Sequence, residues 1–312
     1  MGRLSHGPAA FHFRRARGVR DWSVRELVIN GDDFGLTPGV NAGMIDAHRD
    51  GVLTSVSLMA GAPAADEAIA LARRTPTLGV GCHLTLVDGT PVLPASQLPT
   101  LTIDGRFRPR WGGFVAACLT GRLALDEVER ELSAQIDRVR SGGLVPTHLD
   151  SHKHVHACPP VFDLVARLAV RFGIPVVRVP YERPAGRLLV RHRARGAARR
   201  QAIENLLMAP WARRADRLLA RHGLRPAPRF AGRALTGLWS VSAIEALIRG
   251  LPDGRSELMA HPGYADAGLD AVRTRLRGER ADEVVVLRAP AIRRLVQAER
   301  IQLVRHGLAT AV

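Results

Sequence analysis

The stretch VINGDDFGLTPGVNAGMIDAHRDGVLTSVSLM, Val28 to Met59, decides the fold. Leu27 to Asn30 is a short β-rich run that stops at the turn-forming Gly31-Asp32-Asp33. Apolar residues at helix spacing follow between Gly39 and Arg49 (Val40, Met44, Ile45, Ala47), and Thr54 to Met59 reads as the next strand. A helix over Asp66 to Arg74 and a strand over Leu78 to Leu86 continue the alternation. This βαβαβ rhythm implies a largely parallel sheet, and it sets Asp32 and Asp33 at the carboxyl end of a strand.

Outward from that unit, prolines and glycines between Val87 and Pro109 predict a long loop of the kind that borders active sites. Helices are expected over Trp111 to Leu119 and Asp126 to Ser141, then a strand over Pro146 to Leu149 that delivers a histidine cluster. A helix over Val161 to Phe172 and a strand over Val176 to Val179 come next. From Arg183 to Arg233 arginine is dense, the only acids are Glu204 and Asp216, and apolar residues recur, which predicts a helical insertion with a basic face. Core-like rhythm returns with a helix over Val241 to Arg249 and a strand over Ser256 to His261. An Arg-rich helix near Leu269 to Arg277 and a final helix and strand near Ala291 to Val304 complete the chain.

The 312 residues suffice for one domain spanning 27–312, preceded by a loose basic tail over residues 1–26. The formal charge of +16 suggests an anionic partner, but 44 arginines stand beside a single lysine, Lys153, which reads as a coding bias. With few aromatics and no nucleic-acid motif, specific nucleic-acid binding is not expected. Three widely spaced cysteines, Cys82, Cys118 and Cys158, support neither a disulfide framework nor a zinc finger. The basic start lacks the apolar stretch of a secretion signal and no run reaches a membrane span, so the sequence reads as cytoplasmic.

The chemistry-bearing residues are Asp32-Asp33, His83, and the cluster His148, Asp150, His152, His154 and His156. Carboxylate oxygen and imidazole nitrogen are what a divalent ion takes in a hydrolytic site, and a neighbouring carboxylate can collect a proton from water. At strand spacing the five cluster residues would all point one way, a row that packs poorly without a ligand or water. Singly, each residue has a plainer reading. Asp32-Asp33 fits a turn with a helix cap, and His83 fits a buried histidine held by backbone. Spacing alone leaves His152, His154 and His156 equally able to reach a metal.

The blocks Val28 to Met59, VGCHLTL (Val80 to Leu86), THLDSHKHVH (Thr147 to His156), VVRVPY (Val176 to Tyr181) and ELMAHPGY (Glu257 to Tyr264) together resemble the YdjC-like carbohydrate deacetylase family, which includes chitooligosaccharide deacetylases. The resemblance implies an α/β fold, a distorted (β/α) barrel of the polysaccharide-deacetylase type. It implies one divalent metal ion on Asp33, His83 and His152, with magnesium the first choice and zinc, manganese or cobalt also compatible. Asp32 would be the general base, His261 the acid that protonates the departing amine, and Arg178 the group that holds the catalytic aspartate. Asp150, His154 and His156 would support the ligands or contact substrate, with His154 a candidate to hold Asp150.

The order VFDLVARLAV (Val161 to Val170), VVRVP, then a long Arg/Leu-rich insertion looks most like the hopanoid-biosynthesis branch. That implies an N-acetylglucosaminyl hopanoid as substrate, with a soluble chitooligosaccharide as the alternative and a metal-dependent phosphoesterase as a further one. A homodimer and a peripheral contact of the basic insertion with the inner membrane surface complete these expectations.

Overall fold

The computed structural model describes residues 24–182, 210–225 and 227–307. A parallel sheet runs in the order β6-β3-β2-β1-β8-β7, formed by β1 (Arg25–Phe34), β2 (Ser55–Leu58), β3 (Gly79–Leu84), β6 (Leu149–Ser151), β7 (Arg229–Ala231) and β8 (Gly254–Ala260). A short β9 (Gln302–Leu303) also pairs with the start of β1. Every pairing in this sheet is parallel. The central strands are buried on both faces, as a sheet covered by helices requires.

The helices α1 (Pro38–Arg49), α2 (Ala65–Arg73), α4 (Leu125–Ser141), α5 (Pro159–Phe172), α7 (Val241–Arg249), α9 (Glu279–Arg288) and α10 (Pro290–Ala298) contribute buried apolar residues to one continuous core. The remaining helices are α3 (Trp111–Leu119), α6 over residues 210–221, and the one-turn α8 (Ala267–Asp270). Glycines permit the closest approach between layers. A Cβ on Gly43 of α1 would lie 2.5 Å from Gly263 Cα, so α1 seats directly on the chain that leaves β8.

The sheet curls, and one segment joins its two edges. Val177 bridges Leu149 of β6, and Glu182 bridges Phe230 of β7, both in parallel sense. Residues 177–182 therefore close the barrel through single bridges, where the sequence predicts a full strand over Val176 to Val179. The distorted (β/α) barrel is thus present, and Arg178 lies inside its closing segment.

Other expectations need correction. The first strand starts at Arg25, inside the expected tail, and continues through the predicted turn to Phe34. Residues 1–23 lie outside the described residues. The expected loop over Val87 to Pro109 contains a small hairpin, β4 (Thr102–Ile103) with β5 (Arg106–Phe107). Much of the expected helical insertion, residues 183–209, falls outside the described residues, and its end is the strand β7 rather than helix. The strand expected over Pro146 to Leu149 is regular only over Leu149–Ser151, although Thr147 N already bonds to Val80 O and His148 O accepts from Cys82 N of β3. The Arg-rich helix near Leu269 to Arg277 is only the one-turn α8, and the regular helix is the next one, α9.

Candidate metal centre

Three strand ends build the site. β1 pairs with β2 at Asn30↔Ser55, Gly31↔Val56 and Phe34↔Leu58, with an irregularity between Gly31 and Phe34. In a regular strand Asp32 and Asp33 would face opposite sides of the sheet. The bulge, with Asp33 at φ 76°, turns both carboxylates into one buried space. A non-glycine residue in that region is costly, and such backbones collect at functional sites.

β3 and β6 bring His83 directly opposite Asp150, and His83 Nδ1 lies 2.8 Å from Asp150 Oδ1. That bond aims Nε2 of His83 at Asp33, 3.4 Å from its Oδ1. After β6 the chain turns into a short 3-10 segment, His152–Ala157, in which Lys153 (φ 53°) and His154 (φ 54°) are left-handed. The turn swings His152 toward β1, where its Nδ1 lies 2.9 Å from the same Asp33 Oδ1. Candidate ligand atoms of Asp33, His83 and His152 lie within 4.8 Å of one another.

Two fully buried arginines hold the carboxylates. Arg178 grips Asp32 in a two-pronged pair, Nη1 to Oδ2 at 2.6 Å and Nη2 to Oδ1 at 2.8 Å. The same guanidinium reaches Asp150 Oδ2 at 2.7 Å and Glu257 Oε1 at 2.6 Å. Arg280 of α9 donates to Asp33 Oδ2 at 2.6 Å, leaving Oδ1 for the histidine side. Asn30 donates to Asp32, and Ser57 donates to Asp150.

The charges decide whether an ion fits. Four buried carboxylates (Asp32, Asp33, Asp150, Glu257) meet two guanidiniums (Arg178, Arg280), a surplus of two negative charges. Burying such a surplus is costly, and one divalent cation cancels it. A proton on His83 offsets one of the two charges. Burial pulls His83 down, but the charge and hydrogen bond of Asp150, with Asp33 and Asp32, carry it up to about 10. The arrangement of carboxylate, histidine and open ligand nitrogen is also the usual support for a metal-bound imidazole.

Other groups are tuned by the same cluster. Burial, with the Asp150 charge, raises Asp32 against the opposing pull of Arg178. Burial would raise Asp33 as well, but His152 and Arg280 hold it well below the carboxylate range. Against its own burial, Glu257 is drawn down to about 2, chiefly by Arg178. His261 follows β8, donates its backbone N–H to Glu283, and has a buried Nδ1 without a partner. Burial lowers its imidazole to about 3. Burial lifts Glu283 to about 8, so this carboxyl is neutral beneath the site at neutral pH.

The predicted row of imidazoles does not form. Ser151 ends the strand, and the left-handed turn sends the residues to separate places. His148 bonds Ser57 and Thr147 and stacks on His306 at 4.0 Å, in space kept open by Gly81, whose Cβ would come within 2.3 Å of the ring. His156 is buried between Ser151 Oγ and Arg178 O. His154 lies edge-on to Phe230 with Nδ1 unpartnered, so it does not hold Asp150, which His83, Arg178 and Ser57 hold instead.

A curled parallel α/β sheet that gathers an Asp-His-His set at its carboxyl ends, where it could hold an ion, has the architecture of a hydrolase. More narrowly, the chain belongs to the YdjC-like protein family, whose model matches residues 26–298. A carbohydrate deacetylase of Geobacillus stearothermophilus is 33% identical over 283 residues, 90% of this chain and 97% of the relative. A chitooligosaccharide deacetylase of Salmonella paratyphi B is 45% identical over 151 residues, 48% of this chain and 58% of its own length. A solved structure from Enterococcus faecalis V583, named for cellobiose-phosphate cleavage, aligns at a TM-score of 0.71 with 25% identity, covering 91% of this chain and 98% of that one.

Proposed function

We propose that this chain is a divalent-metal-dependent deacetylase that hydrolyses the N-acetyl group of an N-acetylglucosamine-type sugar to the free amine and acetate. The observation that carries this reading is the convergence of Asp33, His83 and His152 beside an aspartate, Asp32, clamped by Arg178. The names of the curated relatives supply the substrate class.

Asp33 Oδ1, His83 Nε2 and a ring nitrogen of His152 would hold the ion. Bound there, the ion would act as a Lewis acid on the amide carbonyl and on water. Asp32 is the base that takes the proton of the attacking water. Its raised affinity for a proton suits that task, while Arg178 fixes its orientation. Because burial lowers His261 to about 3, it enters neutral; the proton that Asp32 takes from water would be relayed through it to the departing amine nitrogen, leaving acetate and free amine. Asp150 orients His83.

As the preferred substrate we propose a lipid-linked sugar such as an N-acetylglucosaminyl hopanoid, with chitooligosaccharide second. The support is the motif arrangement over residues 161–180 and the long Arg/Leu-rich segment that follows it. No helix among the described residues is long and apolar enough to cross a membrane, so access to such a substrate would be from the surface.

The test is acetate release from the glycolipid and from diacetylchitobiose, with and without divalent metal, beside His152→Ala. Metal-dependent release lost in the variant is expected. Release from neither substrate overturns the deacetylase assignment, and release from the oligosaccharide alone overturns the lipid preference.

A further inference from the structure

We propose that α3 and its basic flanks form a docking face for an anionic lipid surface, placed beside the turn that carries His152. The face stands on its own surface chemistry, whichever N-acetyl sugar is cleaved.

The helix reads WGGFVAACL, nine residues without a charged side chain or any polar group beyond one thiol and one indole N–H. Phe114, Ala117 and Cys118 face the core, as one stripe of a surface helix should. The exposed positions, where solvent-facing helices carry charge, are Trp111, Gly112, Gly113, Ala116 and Leu119, with Val115 half-buried against the core. Trp111 is 51% exposed and Leu119 63%. Ile103 and Leu125, at the two ends of the same stretch, are also exposed, so four of the eight large exposed apolar residues among the described residues fall within positions 103–125. A surface helix that shows Trp111 and Leu119 to solvent departs from the charged outer face such helices usually carry.

Charge says what the surface meets. Between Asp104 and Asp126 the chain carries Arg106, Arg108, Arg110 and Arg122 and no acid. Arg106, Arg110 and Arg122 are exposed and make no salt bridge among the described residues. An apolar stripe with an aromatic residue at its start and unpaired arginines at both ends is the composition of a segment that lies in the headgroup layer. Nine helical residues extend only about 14 Å, under half of the roughly 30 Å hydrocarbon layer, so the helix lies along the surface and does not cross it.

Position connects the face to the site. The core side of α3 packs against the 3-10 segment His152–Ala157, and Cys118 Sγ touches Cys158 Sγ at 2.8 Å, immediately after that segment. A surface bound at α3 is therefore one helix away from the turn that presents His152.

The experiment is co-sedimentation of the full chain with phosphatidylglycerol or phosphatidylcholine vesicles at low and moderate salt. It compares wild type with Trp111→Ser/Leu119→Ser and with Arg106→Gln/Arg110→Gln/Arg122→Gln. Because other arginine-rich segments also attract anionic vesicles, the variants carry the test. The arginine variant is expected to bind phosphatidylglycerol roughly a hundredfold more weakly, at about fivefold per arginine. The Trp111/Leu119 variant is expected to keep a salt-sensitive attachment but to lose quenching of tryptophan fluorescence by brominated lipid. Both variants should release acetate from a soluble substrate as wild type does, which separates this inference from the catalytic one. Wild-type binding in both variants overturns the proposal. So does a change from dimer to monomer in the Trp111/Leu119 variant by analytical ultracentrifugation, since the face would then belong to a second copy.

Discussion

The end of β1 and the turn after β6 both deliver a side chain to the proposed metal site, and they do so by opposite means. At β1 the carboxylates of Asp32 and Asp33 are almost wholly buried, each held by a guanidinium at 2.6 Å. At the turn, two consecutive non-glycine residues are left-handed, His152 keeps 15% of its side chain exposed, and Lys153 pairs with Asp88, itself left-handed at φ 53°. Each left-handed residue costs on the order of 1–2 kcal/mol. One side of the centre is thus fixed by buried charge, and the other is a strained rim that positions a ligand from the solvent side.

The sharpest way to break this contrast is to remove a ligand from the fixed side. Asp33→Ala should abolish metal-dependent acetate release and leave Arg280 as a buried unpaired cation, with metal affinity measured by calorimetry. Arg178→Met should leave Asp32, Asp150 and Glu257 without their shared cation and lower unfolding stability by about 3–5 kcal/mol, read from urea denaturation. If stability is unchanged, the rigidity assigned to that side is wrong. Asp150→Asn should cost roughly 10–100-fold in metal affinity with little change in fold, because it loosens His83 without removing a ligand.

Metal binding should also release a proton. His83, held up to about 10 in the metal-free site, must lose its proton to bind, so affinity rises with pH through the neutral range and levels off only above that value. Calorimetry in buffers of different ionisation enthalpy measures the proton, and a pH-independent affinity would sink the charge argument. The smallest effect belongs to the rim. Lys153→Ala removes a partly exposed pair worth at most about 1 kcal/mol, and should weaken metal binding a few-fold while speeding amide exchange in residues 152–157.

The sequence made the parallel rhythm legible because β1, α1 and β2 follow one another with little interruption, and α3 and α7 lie where periodicity puts them. Asp33, His83 and His152 lie within reach of one another, and Arg178 bonds Asp32. What stayed hidden depends on backbone or on long-range pairing. Nothing in DSHKHVH signals that Lys153 and His154 adopt positive φ, so the strand reading of the histidines was bound to fail. Arg280 carried no mark separating it from 43 other arginines, and its helix was misplaced by about ten residues. Glu257 stood within a recognised block, yet only the partner across the barrel shows its role.

The segment that joins the two edges of the sheet carries the guanidinium shared by Asp32, Asp150 and Glu257. While those edges are apart, three acids on separate strands repel one another and Asp32, the proposed base, has no orientation. Closing the barrel and arming the site are therefore one cooperative event. A partly folded chain should have no catalytic activity at all, so turnover itself can serve as a gauge of the fraction of molecules fully folded.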